Sequence, residues 1–161
     1  MRFRLIGVLS IFAVLGLAVS GCHAPAPANP TAGLPSLTFF AAENPDLPAV
    51  AQALNQRLQK AYPVGPSVKY AGVSLEEAQI AVGCIEATPA CWAAVAKSVS
   101  APALLLAEVS AQKDKRVHLV VRIFNSEGRS TVRVSEQTSA NAADALGAVP
   151  KVVDGLVSAA H

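Results

Sequence analysis

Two hydrophobic periods alternate along this chain, and together they predict nine elements. "SLTFFAA" (36–42) is a short apolar run that reads as a strand. In "NPDLPAVAQALNQRLQKAY", Leu47, Val50, Ala51, Leu54 and Leu58 recur at helical spacing and predict an amphipathic helix. Asp46 is placed to cap it, and Pro48 suits a first turn, where its missing N–H costs nothing. "VGPSVKYAGV" (64–73) has a short β-like core at 67–71 between Pro and Gly. Ser74 and Glu77 have the spacing of a capping box, each side chain answering the other's backbone N–H, so a second helix should run from about 75 to 84. Thr88-Pro89 has the cap and first-turn signature of a third helix, "ACWAAVAKSVSA".

The period then falls to two. "ALLLAEVSA" (103–111), "RVHLVVRIF" (116–124) and "RSTVRVSEQT" (129–138) predict three strands joined by the polar links "QKDK" and "NSEG". Gly128 is suited to the positive φ of a hairpin turn. In the middle strand Val117, Leu119, Val121 and Ile123 form an apolar face, while His118, Val120, Arg122 and Phe124 form a mixed one. That pattern predicts an antiparallel sheet covered on one side. "ANAADALGAVPKVVDGLVSA" closes the series as an amphipathic helix, with Pro150 expected to kink or break it. The order β-α-β-α-α-β-β-β-α predicts an α+β fold, a two-layer α/β sandwich. Its mixed sheet carries a C-terminal three-stranded antiparallel part. Residues 37–161 are expected to form one domain.

The first 36 residues fit neither period. "MRFRLIGVLSIFAVLGLAVSGC" has a basic start, an apolar run from Leu5 to Val19 and a small-residue exit, the three parts of a secretory signal. Its apolar run of about 15 residues falls short of the roughly 20 a spanning helix needs. The ending "VSGC" resembles the lipobox of bacterial lipoproteins, with Val19 where Leu is commoner. The resemblance implies a signal peptide over 1–21, cleavage before Cys22, and lipid (palmitate among it) on its thiol and new amino group. His23, rather than Asp, follows the cysteine, which in such lipoproteins favours the outer membrane. "HAPAPANPTAGLPS" (23–36) is Pro/Ala-rich and uncharged. Repeated Pro blocks helix and removes donors, so this segment is expected to be an extended tether.

Charge narrows the partners. The chain holds 13 basic and 11 acidic residues, and Arg2 and Arg4 lie in the signal, so the rest is neutral. A neutral domain lacks the basic footprint that nucleic acid requires. The apolar share of 52% excludes a wholly disordered chain.

Candidate chemistry centres on "GCIEATPACW" (83–92). Cys84 and Cys91 are too far apart for a Cys-x-x-Cys redox centre and lack the further close ligands of a zinc site. With Cys22 assigned to lipid and the compartment oxidising, they balance as a disulfide that pins two helices across their loop. A closed loop of about eight residues is worth roughly 2.5 kcal/mol in the chain-entropy model. Redox and metal use are the weaker alternatives. Trp92 is expected to pack in the core, and His118 to be a partly exposed strand histidine rather than a general base. Capping accounts for Glu77 and the helix dipole for Glu76; with Glu86 they make a poor case for paired catalytic carboxylates. Lys113 to Arg116 read as a solvated turn. "GPSVKYAG" lacks the Gly-Lys-Ser/Thr ending of a phosphate loop. No catalytic residue, metal site or cofactor is expected.

The run "LEEAQIAVGCIEATPACWAAVAKSVSAPALLLAEVS", followed by two strands and a helix, resembles the amino-terminal domain of the translocation protein TolB and the CsgG-like lipoproteins of curli secretion. The likeness rests on element order over residues 37–158, and Ser100-Ala101-Pro102 stands where Gly-Ala-Asp is common there. It implies envelope assembly, secretion or protein contacts, and no catalytic residues. The expected function is therefore a periplasm-facing, lipid-anchored interaction or assembly module with a protein partner in the envelope. A small-ligand or cell-wall-binding lipoprotein is the alternative, and an envelope hydrolase the remote one.

Overall fold

The computed structural model of the chain describes residues 31, 33–84 and 86–159. Nine elements follow one another: β1 (Leu37–Phe40), α1 (Pro48–Ala61), β2 (Val68–Tyr70), α2 (Leu75–Ala81), α3 (Pro89–Ser98), β3 (Ala103–Ala111), β4 (Val117–Asn125), β5 (Ser130–Ser139) and α4 (Ala142–Ser158). The strands form one mixed sheet in the order β2-β1-β3-β4-β5. β1 is parallel to both its neighbours, with Leu37 beside Val68 and Ala103. β3, β4 and β5 are antiparallel, with Val117 beside Ala111 and Ser139. The element order and the α+β class are those the hydrophobic pattern predicts.

Two hydrophobic clusters sandwich the sheet, so it is not covered on one side only, as the pattern of residues 116–124 predicts, but partly on both. On one face Phe39, Leu105, Leu119, Val121 and Ile123 pack against Leu54 and Leu58 of α1 and Val149, Val153 and Leu156 of α4. On the other, Phe40, Leu104, Leu106 and Phe124 meet Ala78 of α2 and Trp92 and Val95 of α3. This second cover reaches only part of the sheet. It explains why β3 reads as nearly continuous apolar sequence, "ALLLA": a strand covered on both faces has no polar side to show. β5 is covered on one side only and alternates. Gly155 lets α4 rest on β5, since a Cβ there would lie 2.7 Å from the Ser135 hydroxyl oxygen.

Three local expectations are corrected. The residue before α1 is Leu47, without a side-chain cap, and Asn44 rather than Asp46 organises the turn. Its Oδ1 accepts from the backbone N–H of Asp46 (2.9 Å) and Leu47 (3.0 Å), while its Nδ2 donates to the Val109 carbonyl (2.9 Å), tying the turn to the sheet. In the β4–β5 hairpin the left-handed φ falls on Arg129 (46°), not on Gly128. There the Asn125 side chain accepts from the N–H groups of Glu127 and Gly128, at 2.9 and 3.3 Å, and so shapes the turn. Of the kink or break expected at Pro150, the break is overturned: α4 runs through it. Pro150 and Leu146 both lie on the exposed face, where water can serve the Leu146 carbonyl that the proline leaves without a donor. Among the described residues no helix is long and apolar enough to cross a membrane.

Strand directions give the sheet two distinct ends. The chain enters β1 at the end that also carries the β4–β5 hairpin and the C-terminus of α3. The opposite end carries the Asn44 turn, the start of α2 and the β3–β4 hairpin.

Candidate functional site

The segment around "GCIEATPACW" is an αα corner assembled from local signals. At the start of α2, Ser74 Oγ accepts from the Glu77 N–H (3.1 Å), and Glu77 Oε2 accepts from the Ser74 N–H (2.9 Å). Gly83, at φ +72°, turns the chain out of α2. Thr88 Oγ1 accepts from the Cys91 N–H (3.2 Å), and Pro89 opens α3. Cys84 and Cys91 are disulfide-bonded with their Cα atoms 5.7 Å apart. The amide nitrogen of Gln79 lies 3.5 Å from the Cys91 sulfur. Cys91 is buried with Trp92, at 4% exposure each, which leaves its sulfur poorly placed for exchange with an outside thiol.

Trp92 is a packing residue with a polar neighbour that sequence reasoning missed. Its ring meets Phe124 edge-on, with centroids 5.6 Å apart. The Arg122 guanidinium stands 4.7 Å above the same ring, and Arg122 Nε lies 3.5 Å from Glu108 Oε1. This stack joins α3 to β4 and β3. An arginine on the mixed face of a strand, with one strand between it and the helix of a lone tryptophan, is the signal that could have found it.

Beyond the stack, no helix among the described residues lies over the same face of β4 and β5. Val132 and Val134 of β5 are 46% and 51% exposed. His118 stands beside them, its Nε2 3.9 Å from Glu136 Oε2. Ser110 is its cross-strand neighbour on β3, but no hydrogen bond joins the two. A nucleophile is activated by a hydrogen-bonded base; this trio of side chains lies on an open sheet surface and lacks that bond. β5 is also a sheet edge: among the described residues no strand pairs with its outer side. The other edge, β2, has only three residues.

The described surface also carries grooves. An open one of about 670 Å³ runs beside α1, where Gln52, Gln56 and Glu43 surround a floor of Ala42, Ala51 and Pro48. Its Asn55 is already committed, accepting from the Ala42 N–H (2.8 Å) and donating to the Ala42 carbonyl (2.9 Å). A smaller one, of about 170 Å³, lies between Glu43, Glu76 and Glu108. Among the described residues no group of three or more His, Cys, Asp or Glu side chains is arranged to hold a metal ion. Glu77 is engaged in its cap, while Glu76 lines the small groove and Glu86 is exposed in the corner loop. Burial pushes the phenols of Tyr62 and Tyr70 above their ordinary range, against the opposing pull of Arg133 on the first and Gln59 on the second. Cys22, the expected lipid site, lies outside the described residues, as do the signal peptide and most of the tether.

No protein-family model and no curated protein matches the sequence. Among solved structures the chain is similar to the NMR structure of E. coli LpoB, at 13% identity over 84% of this chain and 82% of that one, with a TM-score of 0.45. It is similar also to the LpoB C-terminal domain from Salmonella enterica, at 13% identity over 66% and 85% of the two chains, with a TM-score of 0.44. The third similarity is to TolB from Acinetobacter baumannii, at 11% identity over 78% of this chain and 28% of that one, with a TM-score of 0.41. At such identities and TM-scores no activity, partner or site transfers from them.

Proposed function

We propose that this protein is a non-enzymatic, lipid-anchored module of the bacterial envelope that works by binding a protein partner. The observation that carries this reading is the half-covered sheet, with exposed valines next to a long free edge. Exposed apolar side chains beside unpaired strand groups are chemistry for a polypeptide rather than for a small molecule. In this reading Cys22 carries the lipid and the uncharged Pro/Ala segment spaces the domain from the membrane, at about 3.1 Å per residue in extended form. Outer-membrane attachment facing the periplasm fits the "VSGC" ending followed by His23. The Cys84–Cys91 bond suits that oxidising compartment and staples the corner that covers the second cluster.

The test is site-specific photocrosslinking in cells, with the probe at Val134 or His118 and a control probe at Val73, an exposed position outside the β4–β5 surface. A discrete protein adduct at the first two sites and not at the third is expected. Adducts that do not depend on probe position would overturn the reading. Cys22→Ala should release the protein into the soluble periplasmic fraction; retention in the membrane would refute the lipid anchor.

The amide-lined groove beside α1 favours a second reading, a small-ligand or cell-wall-binding lipoprotein. Free Gln52 and Gln56 side chains, one helical turn apart, can bond the hydroxyl or acetamido groups of a glycan. Co-purification of a glycan, lost in a Gln52→Ala/Gln56→Ala double variant, would favour it.

A further inference from the structure

We propose that the end of the sheet from which the tether leaves is a membrane-contact face: Val64 enters the headgroup layer of an anionic bilayer, and Lys60, Lys69, Lys97 and Arg129 meet headgroup phosphates. This rests on the proposed lipid anchor at Cys22 and says how the anchored domain stands.

The domain is neutral only as a sum. α1 and α3 both finish at the end where β1 starts, and each has a lysine in its last turn, Lys60 and Lys97. Lys69 is the second residue of β2, and Arg129 lies in the β4–β5 hairpin at the same end. All four are exposed. The acids nearest this end are Glu127 and Asp154, and Asp154 is held by Arg57 at 2.7 Å. The far end reverses the balance. Glu43, Asp46, Glu76, Glu77 and Asp144 stand there, beside a β3–β4 hairpin that holds Lys113, Asp114, Lys115 and Arg116.

Helix dipoles favour lysines in last turns, but they do not account for Lys69, Arg129 or the loop between Lys60 and Lys69. That loop, "KAYPVGPSVK", buries Tyr62 and puts forward Val64, which is 67% exposed between Pro63 and Gly65. The Gly65 N–H donates to the Val68 carbonyl (3.0 Å) and closes the loop. An apolar tip between two lysines suits a bilayer interface: the tip leaves water, while the long lysine stems keep their charges at phosphate level.

Chain length selects the bilayer as occupant. Leu34 packs on the core, and its N–H donates to the Thr31 carbonyl (3.0 Å). Eight residues, 23–30, separate Thr31 from Cys22 and can span about 25 Å. β3 alone has nine residues, about 30 Å, so the leash is too short to seat the acidic far end on the bilayer. The potential of an anionic surface decays within about 8 Å in physiological salt, and a short leash keeps the basic end at high effective concentration beside it. Standing on this end, the domain leaves the open face of β4 and β5 free for the proposed protein partner.

For the test, the acylated full chain is reconstituted into vesicles of phosphatidylcholine, with or without one-third phosphatidylglycerol. A dye is placed on Ser67→Cys, beside the tip, or on Val73→Cys, beyond the other end of β2, and lipids spin-labelled on the headgroup serve as quencher. Quenching of the first dye, stronger with phosphatidylglycerol and weakened by salt, is expected; the second should stay bright. A cation near such a surface is worth about five-fold in binding, so Lys60→Glu/Lys69→Glu should lower contact by at least about 25-fold. Val64→Asp should abolish contact, and Val64→Leu should keep it. Circular dichroism checks that each variant is folded. Equal quenching at both positions, or quenching at Ser67→Cys that ignores phosphatidylglycerol and charge reversal, overturns the inference. If the chain floats with the vesicles while the Ser67→Cys dye stays bright, the contact face fails and the lipid anchor stands; if it floats with neither vesicle, both fail.

Discussion

β3 and β5 have nearly the same length, nine and ten residues, and lie two places apart in one sheet, yet they do different work. β3 is covered by α1 and α4 on one face and by α2 and α3 on the other, and Ala103 to Ala107 are all buried. Among the described residues β5 has α4 on one face, no helix on the other, and no strand on its outer edge. The difference shows how a small domain divides its residues. The covered side supplies folding free energy, and the open side leaves backbone and valines for something outside the fold. Substitutions should therefore separate the two: large effects on stability near β3, small ones near β5.

Leu105→Ala is the strongest test of the covered side. Leu105 is fully buried between Phe39 and Ile123 on the neighbouring strands and under the helices, and its loss leaves a cavity that the strand cannot close. We expect a loss of about 2–5 kcal/mol by urea denaturation. A cost below about 1 kcal/mol would mean that the covered side does not dominate stability.

Replacing both Cys84 and Cys91 with Ser comes next. The loop between them spans seven positions, so the chain-entropy contribution is about 2–3 kcal/mol. The effect should be local. Hydrogen exchange should rise over α2 and α3 and change little in β5, because α2 and α3 cover β1, β3 and the Phe124 end of β4. An equal rise in β5 would show that the two sides unfold as one unit.

A third test uses pH. Tyr62 lies in the cluster shared by β1, β3 and the helices, and burial raises its phenol above the ordinary value near 10. The folded state therefore holds the proton more tightly than the unfolded one. Stability from this group is complete below the unfolded pKa and is lost as pH rises through the folded pKa. Tm should fall above about pH 10, and Tyr62→Phe should make that fall shallower. Tyr70, raised for the same reason, should leave a residual slope. An unchanged slope in the variant would show that Tyr62 does not ionise with unfolding.

The covered side was the more legible in sequence. The apolar run at 103–111, period two in 116–124, the Ser74/Glu77 box and the Thr88-Pro89 cap are local signals, and the elements they predict stand within a few residues of those observed. Strand order is not local. Nothing in "SLTFFAA" says that it lies between β2 and β3, parallel to both, so the partial second cover and the free edge of β5 were out of reach. Side chains acting at a distance were hidden for the same reason. Asn44 bonds the Val109 carbonyl 65 residues away, and Arg122 stacks on Trp92 from another element. Pro150 does not break α4; a proline rule is blind to which face of a helix meets water.

The smallest expected effect tests the open side directly. Val134→Thr keeps the branched shape that suits a strand and changes a methyl for a hydroxyl on a side chain half in water. Taken alone, the monomer should lose or gain no more than about 0.5 kcal/mol. The same variant should behave differently once its surface is covered, because the hydroxyl must then be desolvated without an assigned partner. Denaturation at successive dilutions separates the cases. A small, concentration-independent change means that Val134 faces water in the protein as purified. A larger cost that grows with protein concentration means that another copy covers it. A cost above 1 kcal/mol at every dilution would contradict the division itself, because Val134 would then belong to the folding core.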